Sequence, residues 1–134
     1  MKNLKIIGLV LISIFLFCCQ KPYWPFDEKP NIVTAEYEIV TNGEFERGYN
    51  IYVKLKNTED LASIHSIVLN GFEFQNHAVG YGDGIIEIDG YFPIQSKMIQ
   101  NFQPPKKVEK EDGITFGHAD AQFYYPVKFT LKKK

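Results

Sequence analysis

The sequence predicts an all-β domain, an antiparallel β-sandwich of about seven strands, with a small β-barrel as the alternative. Three observations support this prediction. Apolar and polar residues alternate with a period of two through much of the chain after residue 31. Turn signals separate the alternating segments at intervals of roughly 8–12 residues. No long segment sustains the 3.6-residue apolar repeat of a helix.

The first two strands are predicted from alternation on either side of a turn. In the first segment the apolar face consists of Val33, Ala35, Tyr37 and Ile39. In the second segment it consists of Tyr49, Ile51, Val53 and Leu55. Asn42-Gly43 favours a turn between them, and residues 44–48 are expected to lengthen that connection beyond a tight hairpin.

The central strands are predicted from short apolar runs separated by turn residues. Residues 64–69 form one run, which ends at Asn70-Gly71 before Phe72 and Phe74 alternate with polar neighbours. A glycine-rich loop at residues 80–84 precedes the next alternating segment, whose apolar residues are Ile86 and Ile88.

The last strands are predicted from residues 114–131. Ile114 and Phe116 indicate a short strand, and one longer strand follows whose apolar face is Phe123, Tyr125, Val127, Phe129 and Leu131. Pro126 lacks an amide donor, so this longer strand is expected to lie at a sheet edge or to leave one ladder position unpaired there. About seven short strands with such turns resemble an immunoglobulin-like sandwich, although the cysteine and tryptophan spacing of antibody domains is absent.

The N-terminal segment has the layout of an export signal. Lys2 and Lys5 precede an apolar run over residues 6–17, and the chain then becomes polar. The run is shorter than the roughly 20 residues that a membrane-spanning helix needs. Residues 1–18 are therefore predicted to be a signal peptide, and a lasting membrane helix is the weaker alternative.

The end of this signal carries both cysteines of the chain. Leu16-Phe17-Cys18-Cys19 resembles a bacterial lipobox, in particular the looser lipoboxes of spirochaetes. The resemblance implies that a thiol receives a diacylglycerol before the signal is removed. Lipoboxes have a small residue before the lipidated cysteine, so Cys19 is the favoured acceptor and Cys18 the alternative. An ordinary secreted protein with a discarded leader is the competing interpretation.

The chain thus divides into a signal peptide (1–18), a lipidated cysteine with a proline-rich tether (19–30) and a sandwich domain (31–134). The tether contains Tyr23, Trp24 and Phe26. These rings could pack on the domain, lie among lipid headgroups or form a binding edge.

Charge and composition restrict the function classes. Removal of Lys2 and Lys5 with the signal leaves 13 basic and 16 acidic residues, a formal charge of -3. A chain of this charge is not expected to bind nucleic acid through a basic surface. With Cys19 acylated, the domain is expected to fold without disulfides.

No catalytic constellation is predicted, and the protein is expected not to be an enzyme. The serines lie outside any nucleophile-elbow context, and His65, His77 and His118 are not spaced as metal ligands. Weak calcium candidates are the acidic residues Asp83, Glu87 and Asp89, of which the last two equally fit the solvent face of a strand. No cofactor is expected. Tyrosines expected at outward positions or in loops are Tyr52, Tyr81, Tyr91 and Tyr124.

The expected function is that of a lipid-anchored envelope protein, a non-enzymatic binding or surface-display module with a protein or glycan partner. Gln20 after the anchor favours the outer membrane, since a non-acidic residue there permits export in enterobacterial lipoproteins. The alternative is a periplasm-facing structural or accessory lipoprotein of an envelope assembly. Protease treatment of intact cells distinguishes the two, because only an outward-facing domain is cleaved.

Overall fold

The computed structural model describes residues 29–56, 63–79, 84–118 and 121–133. These residues form nine strands, and no helix among them is long and apolar enough to cross a membrane. The strands are β1 (Asn31–Asn42), β2 (Glu46–Lys56), β3 (Ser63–Leu69), β4 (Phe72–Val79), β5 (Ile85–Ser96), β6 (Lys106–Lys107), β7 (Gly113–His118), β8 (Ala121–Pro126) and β9 (Thr130–Leu131).

The strands form two sheets, which confirms the predicted β-sandwich and excludes a closed barrel for the described residues. One sheet has the order β5-β2-β1-β9 and the other the order β6-β4-β3-β7-β8. All pairs are antiparallel except β1 with β9. The strands β1, β2 and β5 thus lie side by side in one sheet, and β4, β3, β7 and β8 lie side by side in the other. The short strands β6 and β9 are additions to the seven longer ones.

The core lies between the sheets, and each sheet contributes its inward-facing alternate residues. Ile51 and Leu55 of β2 are fully buried, as are Ile64 of β3, Ile114 and Phe116 of β7. Each such side chain contributes about 1.5–3 kcal/mol through burial. An aromatic chain extends the core, with edge-on ring contacts at centroid distances of 5.6 to 6.1 Å between successive members of Tyr37, Tyr49, Phe74 and Phe92.

The predicted last strand is divided between the two sheets. β8 ends at Pro126, the chain crosses the edge of the sandwich, and β9 pairs with β1 in the other sheet. The crossing begins where Pro126 has no amide to donate, and the amide of Val127 donates instead to the carbonyl oxygen of Asp112 at 3.0 Å. Val127 and Phe129 remain buried, which is why their alternation resembled one continuous strand.

Two further predictions about β1 and β2 were wrong. Val33 does not face the core but is 59% exposed, because a bulge between Ile32 and Thr34 shifts the alternation. The connection between β1 and β2 comprises only residues 43–45, because residues 46–48, which were expected to lengthen it, already pair with β1 as the start of β2. Gly43 adopts a φ of 57° in that turn, and the amide of Phe45 donates to the carbonyl oxygen of Asn42 at 3.1 Å.

The loop before β7 forms hydrogen bonds with neighbouring segments through Asp112 and Glu111. A side-chain oxygen of Asp112 accepts the amide of Asn70 at 2.8 Å, which holds the turn between β3 and β4. The hydroxyl of Tyr124 donates to the carbonyl oxygen of Glu111. Burial, followed by the charges of Glu111 and Asp112, raises the pKa of Tyr124 to about 12.

Candidate functional site

The strand directions give the domain two distinct ends. The proximal end, where β1 begins, contains Asn31, Lys56, Ser63 and Ile85. The distal end contains the β1–β2 turn and the ends of β3 and β5, at Gly43, Leu69 and Ser96. A tether that precedes residue 29 therefore joins the domain at the end opposite the β1–β2 turn.

Three of the seven exposed large apolar side chains among the described residues lie together at the distal end, in a feature that we call the distal tip. It comprises the turn residues 43–45 and the neighbouring residues 96–99. Phe45 is 54% exposed, Met98 69% and Ile99 46%. Three large apolar side chains that share one end of a domain and remain in water mark a docking surface more often than a random scatter does.

Hydrogen bonds hold the two halves of the distal tip together. The amide of Lys97 donates to the carbonyl oxygen of Phe45 at 2.8 Å. The side-chain amide of Gln95 donates to the carbonyl oxygen of Glu44 at 3.3 Å. The turn of β1–β2 and the segment after β5 are thus one unit rather than two independent loops.

The backbone that displays Met98 and Ile99 is shaped by a single hydroxyl. Ser96 Oγ accepts the amide of Met98 at 3.2 Å and that of Ile99 at 3.1 Å. A serine hydroxyl in this arrangement satisfies amides that would otherwise be bonded only to water. The backbone that carries these side chains is consequently fixed, which reduces the conformational entropy that the distal tip loses when it binds a partner.

The distal tip also contains one cation, Lys97, and one exposed carboxylate, Glu44. Lys97 Nζ lies 5.9 Å from the centroid of the Phe45 ring, within the range of a cation–π contact. The combination of an aromatic ring, two aliphatic side chains and one cation resembles the composition of protein interface cores and their rims.

The outer face of the four-stranded sheet is polar and engages its own charges. Tyr52 donates to Glu38 Oε2 at 2.9 Å, and this hydrogen bond is the main reason why the pKa of Tyr52 is raised. Asn50 Nδ2 lies 3.4 Å from the same carboxylate oxygen. Lys132 Nζ lies 4.5 Å from the centroid of the Tyr52 ring. The carboxylate of Glu38 and the ammonium of Lys132 thus both interact with groups of the same chain.

Tyr91 lies at the edge of this sheet, on β5. Its hydroxyl oxygen is out of solvent and has no hydrogen-bond partner among the described residues. Burial, followed by the interaction with the side-chain carboxylate of Glu46, raises the pKa of Tyr91 to about 12.

The residues singled out in the sequence occupy varied positions. Cys18, Cys19, Tyr81 and the calcium candidate Asp83 lie outside the described residues. Glu87 and Asp89 are opposite Lys54 and Tyr52 on the outer face of β5 and β2, and Glu87 Oε1 lies 3.2 Å from Lys54 Nζ. Among the described residues, no three His, Cys, Asp or Glu side chains are grouped closely enough to hold a metal ion.

The distal tip was not among the sites predicted from the sequence. Met98 and Ile99 lie in a stretch without alternation, and Phe45 lies in a segment predicted to be a loop. The available signal was the presence of large apolar residues where no strand period could bury them, directly after a serine able to cap the following amides.

Comparisons of the chain with protein-family models, with curated proteins and with solved structures found no significant match.

Proposed function

We propose that this protein is a lipid-anchored envelope protein that acts by binding, through its distal tip, to a partner protein. The anchor is an acyl-modified Cys19, with Cys18 as the alternative acceptor, and the membrane is the bacterial outer membrane. One observation carries the binding role. Three exposed apolar side chains, Phe45, Met98 and Ile99, are fixed at the end of the domain farthest from the start of β1.

The position of the distal tip, at the end of the domain opposite the tether, supports this proposal. The chain leaves the tether at the proximal end, so a membrane anchor places the distal tip on the side facing away from that membrane. A protein partner is favoured over a glycan because the tip offers aliphatic side chains, whereas glycan sites rely on flat aromatic faces framed by polar groups.

Acylation of the mature N-terminus is the first prediction. Mass spectrometry of the N-terminal peptide should find Cys19 carrying acyl chains, since two or three chains at about 0.8 kcal/mol per CH₂ give a durable anchor. Cys19→Ser should move the protein from the membrane to the aqueous fraction, whereas Cys18→Ser should leave it in the membrane. An unmodified N-terminus at or after Gln20 would contradict the anchor.

Position-specific crosslinking tests the binding role. A photoreactive phenylalanine analogue placed at Met98 in living cells should yield one discrete adduct with a partner protein. The same analogue at Ile85, which is equally apolar and exposed but lies at the proximal end, should not yield that adduct. If both positions gave the same adducts, or if Met98 gave none, the proposal that the partner protein binds at the distal tip would be refuted.

A second variant tests whether binding depends on the backbone geometry of the distal tip as well as on its apolar side chains. Ser96→Ala removes the acceptor for two amides but leaves Phe45, Met98 and Ile99 in place. We expect a several-fold weaker adduct from Met98 in this variant with an unchanged melting temperature, because the side chains lose only their fixed geometry.

A further inference from the structure

Met98 differs from the other apolar side chains of the distal tip because its thioether can be oxidised. Peroxides oxidise a methionine sulfur under conditions that leave aliphatic side chains intact. Met98 is 69% exposed, the largest fraction among the exposed large apolar side chains of the described residues. The only other methionine of the chain is Met1, which belongs to the signal peptide predicted from the sequence. The mature protein is therefore expected to contain one methionine, and that residue lies in the distal tip.

The surrounding structure keeps this thioether accessible to solvent. Ser96 Oγ accepts the amide of Met98 at 3.2 Å and so fixes the backbone that carries the side chain. The amide of Lys97, one residue earlier, donates to the carbonyl oxygen of Phe45 at 2.8 Å. Both contacts are made by backbone amides, and the side chain of Met98 does not belong to the hydrophobic core. An oxidant dissolved in water therefore reaches the sulfur without any opening of the domain.

The reaction is a two-electron oxidation by a hydroperoxide, of which hydrogen peroxide is the simplest. The sulfur of Met98 donates an electron pair to one oxygen of the peroxide, so that an S–O bond forms while the O–O bond breaks. The proton of the transferred hydroxyl moves to the departing hydroxide, which leaves as water. The sulfur is oxidised to the sulfoxide and the peroxide is reduced, so the step balances without a further reactant.

Oxidation changes the surface that the distal tip offers to a partner. A sulfoxide is polar and accepts hydrogen bonds, whereas a thioether is apolar. The other exposed apolar side chains of the tip are Phe45 and Ile99. An interface that buries all three side chains takes the sulfoxide oxygen out of water without a matched donor, which weakens binding by a factor of about five or more. The fold is unaffected, because the side chain of Met98 is already in water in the free domain.

We propose that Met98 is an oxidation site that controls the distal tip: hydroperoxides convert its thioether to the sulfoxide, and the sulfoxide form releases the partner protein. The control of binding rests on the function proposed above for the distal tip, whereas the oxidation itself does not. A methionine sulfoxide reductase reverses the change with electrons from a dithiol, which becomes a disulfide while the oxygen leaves as water. Oxidation of Met98 is therefore a reversible switch.

The rate of oxidation is the first test, and it needs no partner. The mature protein is treated with hydrogen peroxide in detergent, and peptide mass analysis follows the addition of one oxygen to Met98. The rate in the folded protein should lie within about two-fold of the rate in the urea-unfolded protein, and the melting temperature should not change on oxidation. A rate several-fold slower in the folded protein, or a lower melting temperature after oxidation, would overturn the proposal.

The effect on binding is tested with a photoreactive phenylalanine analogue at Phe45. The purified protein is oxidised, freed of peroxide and added to an envelope extract of cells that lack it, so that the partner never meets the oxidant. The yield of the discrete adduct should fall at least about five-fold relative to the untreated protein, and methionine sulfoxide reductase should restore it. Equal yields from the two forms would overturn the proposal but not the function of the distal tip. No adduct from either form would overturn both.

Two variants assign the effect to one sulfur at one place. Met98→Leu removes the thioether, so peroxide treatment should not change its adduct yield, whatever that yield is before treatment. Met98→Leu together with Ile85→Met moves the thioether to the proximal end, where the side chain of Ile85 is 58% exposed. The relocated sulfur should be oxidised as Met98 is, yet treatment should again leave the adduct yield unchanged. A yield that falls on treatment of either variant would show that oxidation acts away from the distal tip and would overturn the proposal.

Discussion

Replacing Phe116 by alanine should lower the free energy of unfolding by about 3–5 kcal/mol, the largest effect expected of any single substitution described here. Phe116 is 1% exposed and lies on β7, which is flanked on both sides by β3 and β8. Truncation of its ring leaves a cavity between the sheets, and rigid ladders on both sides restrict the collapse that could fill it.

Urea unfolding followed by circular dichroism measures this loss as a lower midpoint with an unchanged slope. The matched control is Phe45→Ala, which removes the same ring from the exposed distal tip and should change stability by less than about 0.5 kcal/mol. Equal losses for the two variants would show that Phe116 does not lie in the core of the sandwich.

Replacing Gly48 by alanine should cost at least about 2 kcal/mol, because no space exists for the added methyl group. A Cβ at Gly48 would lie 2.6 Å from the carbonyl oxygen of Phe92 and 2.8 Å from both Pro93 Cα and a ring carbon of Tyr91. Two of these atoms belong to the backbone of β5, so relief requires displacement of the β2–β5 ladder and not merely a rotation of a side chain.

Gly90→Ala is the matched control on the same ladder. The nearest atom to its added Cβ is a ring carbon of Phe92 at 3.8 Å, an ordinary contact distance. This variant should be neutral or more stable by as much as about 1 kcal/mol, since alanine restricts the unfolded chain more than glycine does. Comparable midpoints of thermal unfolding for Gly48→Ala and Gly90→Ala would contradict the close approach of β2 and β5.

The sequence was sufficient to predict the sandwich because burial on one face of a strand imposes a period of two. The apolar residues Tyr49, Ile51, Val53 and Leu55 do line the core, as their alternation predicts. Alternation does not reveal which sheet a strand joins. Val127 and Phe129 are buried between the sheets whether the last segment runs straight or crosses, so the crossing after Pro126 was not predictable from the pattern.

The bulge in β1 and the distal tip were not predictable from the sequence either, because both depend on segments that are distant along the chain. A bulge adds one residue to one strand only, and the partner strand that reveals it is distant in sequence. Exposure of Phe45, Met98 and Ile99 depends on the absence of covering chain, which is a property of the tertiary structure. Local sequence carries only the turn at Asn42-Gly43 and the serine at residue 96.

The pairing of β1 with β2 along its entire length has a mechanical consequence. Register partners run from Asn31 at the proximal end to Asn42 at the distal end, with one interruption at Val33, where the bulge lies. A force between the start of β1 and residues 96–99, at the end of β5, must pass from β1 through β2 to β5 and acts parallel to these strands. It shears the two ladders, so that many hydrogen bonds resist together instead of opening one after another. The domain is thus built to withstand tension along the axis that joins the tether to the tip.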